Sequence, residues 1–359
     1  MLRLHAELQV YGFVVLFTMG VAMMVLPRFL GTTLRPPHLV PVCLGLMAAG
    51  IGVNLAGPKE LGAALQSAAV FTFMAIIRAT RKSAPPRVIA PDPLQKAHAL
   101  FLATGGLWLL AGPGLSLIDQ VKALESVLWG FAGLYIAGIG LRVHPQILAL
   151  PAPRTNFLIP ACILWNLALF LRWVVKGPAW AMVLAIGAFC FLTAMNPFRA
   201  SAAPMESGGW VRVYVRTSYL WLVVSVSLAA ATEFETGLVA GPARHALATG
   251  FILTMMIGMG FRMIPNFESR RLTWPGGPLP VYIILTVGGV LRVGSQTVGN
   301  LHLLAAGGGL QLLAIFLFVG VIITTLIFGV RVETGAGAGH HGAGSLGEDS
   351  SFKLSNLRR

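Results

Sequence analysis

Five ionisable side chains that can bind metal stand where long apolar segments begin. His5 and Glu7 precede the segment "LQVYGFVVLFTMGVAMMVLPRF", and Glu125, His245 and His302 open three later segments. Ionisable groups at membrane depth are costly and usually face the interior of a helix bundle, where they mark a site. Imidazoles and carboxylates that converge on one axis suit a metal ion or a haem. We therefore predict cofactor binding by His5, His245, Glu7 and Glu125, and metal ligation by His5, His245 and His302.

The carboxylates also have an explanation that needs no cofactor. A glutamate in the first turn of a helix is stabilised by the helix dipole, and this accounts for Glu7 and Glu125 as residues that touch interfacial water. Near the opposite ends of the segments, His38, His98 and His144 form a second candidate set. Histidines near the ends of membrane helices are also commonly surface residues. For the glutamates and for these histidines, a binding role and a role without a ligand both stay open.

The composition places most of the chain in lipid. Of its 359 residues, 56% are hydrophobic and 11% are charged, whereas soluble domains carry about 25% charged residues. Apolar runs of about 18 or more residues recur along the chain, which indicates a polytopic helical membrane protein without a soluble catalytic domain. The net charge of +14 fits basic cytoplasmic loops, and no basic–aromatic motif indicates nucleic-acid binding. Cys43, Cys162 and Cys190 lie inside apolar runs without CxxC spacing, which predicts buried thiols.

The apolar runs predict an all-α fold, a polytopic transmembrane helix bundle of about 11 spans. The membrane domain would cover residues 1–332, and the polar, Gly-rich residues 333–359 predict a disordered tail in which the pair His340–His341 belongs to flexible chain. The predicted spans are 8–27, 39–57, 61–79, 97–118, 121–142, 157–176, 178–197, 210–232, 243–264, 278–297 and 303–330.

The distribution of basic residues predicts the orientation in the membrane. Of the 26 Lys and Arg residues, seven fall on the side of the N-terminus and the remaining nineteen on the other side. The positive-inside rule then places the N-terminus outside and the C-terminus in the cytoplasm. An odd number of spans agrees with this orientation. We expect a multi-pass protein of the bacterial inner membrane, in contact with anionic lipid.

One segment of the sequence occurs three times. The copies are "GFVVLFTMGVAMMVLPRF", "GFAGLYIAGIGLRVHPQI" and "GFILTMMIGMGFRMIPNF", which begin at Gly12, Gly130 and Gly250. Each has a second Gly eight residues after the first and a Pro seven residues later. Repetition at this period predicts three arcs of helices around a common axis, about 1–120, 121–240 and 241–332. The position five residues before each first Gly holds Glu7, Glu125 or His245.

The motifs resemble those of a known family. "RHALATGFILTMMIGMGFRMIPNF", preceded by "VRTSYLWLVVSVSLAA", is similar to the corresponding motifs of the NnrS family, membrane proteins linked to the response to nitric oxide. Members also carry His-Ala-His-Glu at an early helix mouth, where this chain has His5-Ala6-Glu7-Leu8. The segment around the first repeat also resembles subunit I of haem-copper oxidases, whose plan is three arcs of four helices.

This resemblance implies haem, with copper as a second metal, and His5 and His245 as the matching ligands. It implies nitric oxide as a ligand and a role in resistance to nitrosative stress. Glu7 stands in place of the second early histidine, and no His-His pair lies inside the apolar segments, so we do not expect a catalytic oxidase. A transporter or channel, or a scaffold of the same fold without a cofactor, remains as an alternative, because internal repeats occur there too.

Overall fold

The computed structural model describes residues 2–85, 92–175, 177–200, 209–234 and 241–331, which form a set of apolar helices. No β-strand occurs in these ranges. We number the apolar helices α1 Leu4–Leu30, α2 Leu39–Ala56, α3 Lys59–Lys82, α4 Pro93–Leu115, α5 Gln120–Leu148, α6 Thr155–Val174, α7 Ala179–Met195, α8 Trp210–Glu233, α9 Gly241–Phe267, α10 Pro278–Thr297 and α11 Leu301–Phe328.

The helices confirm the all-α polytopic fold. Ten of those in the described ranges are long and apolar enough to cross a membrane, and α7 is a shorter apolar helix. Each of the eleven predicted spans coincides with one helix, but α1, α5 and α9 run further than predicted. All three continue past the repeat prolines Pro27, Pro145 and Pro265, which lie in the last turns. Neighbouring helices and local adjustments make such prolines tolerable in a membrane helix. The predicted tail, with His340 and His341, lies outside the described residues.

Helices pair into three hairpins, α2 with α3, α6 with α7 and α10 with α11. Small residues let the backbones of each hairpin approach closely, as they commonly do in lipid. A methyl group added at Gly50 would lie 2.9 Å from Gln66 N, and one at Gly288 would lie 2.9 Å from the Gly307 carbonyl oxygen. The first and third hairpins are therefore closed by backbone-to-backbone contact that admits no side chain at these glycines.

The three helices that carry the repeated segment, which we call the repeat helices, are α1, α5 and α9. Helix α4 packs on α5, and α8 packs on α9. We compare the most apolar 18-residue stretch of each repeat helix. In this stretch 83% of the residues are buried in α5 and 67% in α9, but only 44% in α1. The repeat helices therefore form the centre of the bundle, and α1 is the least covered of them.

Each repeat helix contains an eight-residue π-helical segment in the same place. The segments are Leu8–Val15, Ser126–Gly133 and Ala246–Leu253, and at the end of the first the Leu16 amide donates to the carbonyl of Tyr11, five residues back. π-Helical turns are rare and occur frequently at functional sites. The three sequence copies are thus also alike in an unusual backbone conformation.

The close packing of α10 on α11 predicts that alanine substitutions at two glycines of α11 change the unfolding temperature by very different amounts. Gly307→Ala would place a methyl 2.7 Å from the Arg292 backbone nitrogen, whereas Gly309 has nothing within 4 Å. Overpacking costs about 1–3 kcal/mol, so we expect Gly307→Ala to lower the unfolding temperature. Gly309→Ala should leave it unchanged or raise it, since alanine favours a helix by up to about 1 kcal/mol.

Thermal unfolding in detergent, followed with a thiol-reactive dye, measures this difference because Cys43 and Cys162 are buried. Equal unfolding temperatures for the two variants would show that α10 and α11 do not pack as described.

Candidate functional site

The residue directly before each π-helical segment is paired in the sequence with a polar residue at a fixed distance, and in the first two repeats the two are in contact. These residues are Glu7, Glu125 and His245. The residue 47 positions later, at the end of the helix that follows in the arc, is Asn54 (7 + 47), Arg172 (125 + 47) and Arg292 (245 + 47). The three pairs lie at the N-terminal end of the repeat helices. One position in the fold has therefore diverged into three different polar sites.

His5 and His245 meet at the third of these sites. Their ring centroids are 6.4 Å apart and the ring planes are inclined by 28°. His245 Nδ1 lies 2.9 Å from the Gly241 carbonyl oxygen and 3.1 Å from Gln296 Nε2. A carbonyl only accepts, so the tautomer that satisfies Gly241 carries its proton on Nδ1. In that tautomer Nδ1 cannot accept from the Gln296 amide nitrogen, which is also a donor, and the Nε2 lone pair is free. A metal-binding histidine is usually oriented in this way.

Two polar groups beside the histidine pair have unmet hydrogen-bonding capacity. Arg292 Nη2 lies 3.5 Å from His5 Nε2, and its Nε is buried with no hydrogen-bond partner among the described residues. Gln296 Oε1 is likewise buried and has no partner in the described part of the chain. Because buried polar groups are nearly always paired, the site has a donor and an acceptor to offer to a further group.

Glu7 is held by neutral donors. Its side chain is buried, and its Oε1 accepts hydrogen bonds from Asn54 Nδ2 at 2.9 Å and from Gln66 Nε2. Both donors belong to the first hairpin, so they attach the N-terminal end of α1 to α2 and α3. The carboxylate is thereby directed towards the hairpin, and its predicted role at a cofactor stays a prediction.

Glu125 is held by two cations. Arg172 Nε lies 3.0 Å from Oε2 and Arg244 Nε lies 2.9 Å from Oε1, while the Glu125 side chain is only 7% exposed. Arg172 also lies over the ring of Trp180, 5.1 Å from its centroid. Since both carboxylate oxygens are engaged, Glu125 forms an ion bridge that joins the second and third repeats. Its predicted part in cofactor binding stays a prediction.

The other predicted ligands lie apart from the histidine pair. His302 is exposed at the start of α11, and no contact joins it to His5 or His245. In the described ranges, no group of three or more His, Cys, Asp or Glu side chains is close enough to hold a metal ion. The predicted ligation by His302 stays a prediction, and the assembled site consists of two imidazoles with Arg292 and Gln296.

A second cleft lies between the three repeat helices, towards their C-terminal ends. It encloses about 710 Å³ of empty space, counting the part that is open to the surroundings. His144 lines it, and its Nδ1 is 2.6 Å from Tyr219 Oη. The structure does not bring His144 together with His38 and His98. Among the other residues that line the cleft are Met24, Met255, Met256, Met259 and Met263.

The residues that complete the three sites were absent from the sequence prediction. Arg172 and Arg292 entered it only as charges on one side of the membrane, and Asn54, Gln66 and Gln296 did not enter it. A signal existed, since the 47-residue spacing is the same in all three repeats. The repeated segment itself lies in the repeat helices, whereas Asn54, Arg172 and Arg292 lie in the next helix of each arc.

A family model described as "NnrS protein" matches residues 1–328 of the chain. No curated protein matches the chain significantly.

The two glutamates at equivalent positions should respond differently to neutralisation. In Glu125→Gln the charges of Arg172 and Arg244 lose their counter-ion, which we expect to cost about 1–3 kcal/mol. This is below the about 3–5 kcal/mol for a fully buried pair, because the Arg244 side chain is 39% exposed. Glu7→Gln should cost about 1 kcal/mol or less, since Gln66 Oε1 is buried without a partner among the described residues and can accept from the new amide.

Unfolding temperatures of the two variants, measured in one detergent beside the wild type, test the contrast. A Glu7→Gln variant as unstable as Glu125→Gln would mean that the Glu7 site depends on charge rather than on amide hydrogen bonds.

Proposed function

Since the chain belongs to the NnrS family, we propose that it is a haem-binding membrane protein that acts in the nitric oxide response or in resistance to nitrosative stress. The cofactor would lie at the pair formed by His5 and His245, between the N-terminal ends of α1 and α9. The observation that carries this proposal is the approach of His5 to His245, two residues 240 positions apart (245 − 5), beside the buried and unpaired Nε of Arg292.

The spacing of the rings is compatible with one metal centre. Imidazole nitrogens bind metal ions at about 2.0–2.1 Å, so two rings on one ion have centroids about 5–6.5 Å apart. The observed distance between centroids is 6.4 Å. The His245 tautomer that satisfies Gly241 would supply one ligand nitrogen, and His5 would supply the other in place of its contact with Arg292.

The charge of Arg292 favours haem over a bare copper ion at this place. Its guanidinium lies 3.5 Å from His5 Nε2, where it repels a second cation. Haem carries two propionate groups, and arginine binds carboxylates through paired N–H donors. Arg292 Nε, a buried donor with no partner in the described part of the chain, suits such a carboxylate. Copper remains a proposal for a second metal.

The residues of the chain would have separate roles. His245 would bind iron through Nε2, and the Gly241 carbonyl would hold its ring in the required orientation. Arg292 would bind a propionate, and the Gln296 amide nitrogen would donate to the same group. When bound, the haem supplies an iron that can take nitric oxide as a ligand or carry an electron. Glu7 and Glu125 would hold the N-terminal ends of α1 and α5 in place around the site.

The methionine-lined cleft is a second candidate position for the same cofactor. It opens between the three repeat helices, and five methionines and a histidine line it, side chains that can ligate haem iron. His144 lines it and has its Nδ1 bound to Tyr219, so Nε2 of His144 could act as a ligand. A variant of His144 therefore belongs in any test of the histidine pair.

We further propose that the N-terminus lies outside the bacterial inner membrane and the C-terminus in the cytoplasm. The asymmetry of Lys and Arg residues supports this orientation. The histidine pair would then lie near the outer surface, and the basic inner surface would contact anionic lipid.

The proposal predicts that the haem absorption band of the purified protein depends on His245. Detergent-purified protein, expressed with added haem, should show a haem band in the reduced-minus-oxidised spectrum, and His245→Ala should lose it. His5→Ala should shift or weaken the band, and Arg292→Leu should bind haem about 10–100-fold more weakly, the usual cost of losing a residue that supports a ligand. Copper content is measured in the same samples.

Three variants serve as comparisons. His38→Ala, at the opposite end of the repeat helices, should keep the band. His302→Ala tests whether a third imidazole takes part. A band lost in His144→Ala but kept in His245→Ala would move the cofactor to the central cleft, and a colourless wild type would favour a transporter or a scaffold without a cofactor.

A further inference from the structure

A small pocket beside Glu125 lies where the ends of five helices meet. Helices α6 and α8 end at this level, and α5, α7 and α9 begin there. We call it the Glu125 pocket, and the side chains that line it include Glu125, Arg172, Trp180, Glu233 and Arg244. Membrane helices end near the edge of the hydrocarbon region, so the pocket lies at the depth of the lipid headgroups.

The Glu125 pocket has hydrogen-bond donors that Glu125 does not use. Arg172 and Arg244 each approach the carboxylate through Nε, and their terminal NH₂ groups make no hydrogen bond with a described residue. Trp180 is 5% exposed, and its Nε1 is buried without a partner among the described residues. An indole N–H can only donate, and buried polar groups are nearly always paired. These donors suit an anionic group with several oxygens, and the arginine fork matches phosphate.

The pocket also contains a carboxylate without a counter-ion. Glu233 lines it at the end of α8, and the ion pairs in the described ranges are those of Glu125 with Arg172 and Arg244. The two arginines and two glutamates that line the pocket give a net charge of zero (2 − 2). A purely anionic ligand would be repelled by Glu233. A ligand that carries an ammonium group a few atoms from its anionic group would meet opposite charge at both ends.

The surroundings of the pocket favour a lipid over a free solute. Trp129 and Trp180 line the pocket, and Trp173 lies close by, with its Nε1 2.9 Å from Ser126 Oγ. Tryptophan is enriched where membrane helices meet the headgroup layer. The last turn of α6 also exposes Phe170 and Val174. Acyl chains would therefore find apolar surface next to the polar pocket.

We propose that the Glu125 pocket binds the headgroup of a zwitterionic phospholipid with an ethanolamine group. The phosphate would accept hydrogen bonds from Arg172, Arg244 and Trp180 Nε1, and the ammonium group would donate to Glu233. The lipid would thus connect the hairpin of α6 and α7 to α8 and α9. This proposal does not depend on haem at the histidine pair.

Native mass spectrometry of the detergent-purified full-length protein tests the proposal. Delipidated protein is titrated with phosphatidylethanolamine or phosphatidylglycerol of identical acyl chains, and the dissociation constant of the first bound lipid is measured. We expect the wild type to bind phosphatidylethanolamine severalfold more tightly. Glu233→Gln should remove this preference, because it weakens the binding of the ammonium group alone. Trp180→Phe should weaken both lipids severalfold, because it removes a donor to the phosphate that they share.

Two conservative variants on the same membrane surface serve as controls. Glu60 is exposed at the start of α3, and Trp173 is engaged with Ser126, so Glu60→Gln and Trp173→Phe should bind both lipids as the wild type does. Arg172 and Arg244 stay unchanged because they also hold Glu125.

Soluble glycerophosphoethanolamine distinguishes a lipid from a free zwitterion. We expect it not to displace phosphatidylethanolamine at equal concentration, because it lacks the acyl chains. Displacement at equal concentration would overturn the assignment to lipid. Equal binding of the two lipids by the wild type, or unchanged binding of phosphatidylethanolamine in either pocket variant, would overturn the headgroup site itself.

Discussion

Lipid offers no hydrogen-bonding partner to a protein, and the structure of this chain depends on that constraint. Backbone groups must be satisfied within each segment, so every span is a helix. The same rule applies to the polar side chains at the N-terminal end of the repeat helices. Glu7 and Glu125 are buried, and each is satisfied by donors from another helix. The polar contacts thus tie together helices that lipid alone would not hold in register.

The three repeats satisfy one position in three ways. A carboxylate with two amides, a carboxylate with two arginines and a pair of imidazoles occupy equivalent places before the π-helical segments. In the first two sets the carboxylates take up the donors that face them, and Gln66 Oε1 is left without a partner among the described residues. The third leaves a free imidazole nitrogen and unpaired atoms on Arg292 and Gln296 among the described residues. Of the three sites, the third therefore has the imidazole nitrogen that is free to bind a metal.

The same symmetry makes departures from it informative. The glycines of the repeated segment are covered by α4 and α8 in two copies and are open in the first. Without the internal copies, Gly12 and Gly20 would be ordinary lipid-facing glycines. With them, the face of α1 that no described residue covers is a departure from the pattern of the other two repeats.

Periodic and compositional features of the sequence were enough to determine the spans, the all-α class and the threefold repeat, because hydrophobic length and glycine–proline spacing are local properties of the chain. Family motifs singled out His5 and His245 for the same reason. The partners of the predicted residues depended on which helix ends meet across the bundle. Tertiary packing alone decided that Arg172 and Arg244 enclose Glu125, that Asn54 and Gln66 hold Glu7, and that His302 stands apart from the histidine pair. These contacts join residues between 47 and 240 positions apart (54 − 7 and 245 − 5), and a local pattern carries no information about such distances.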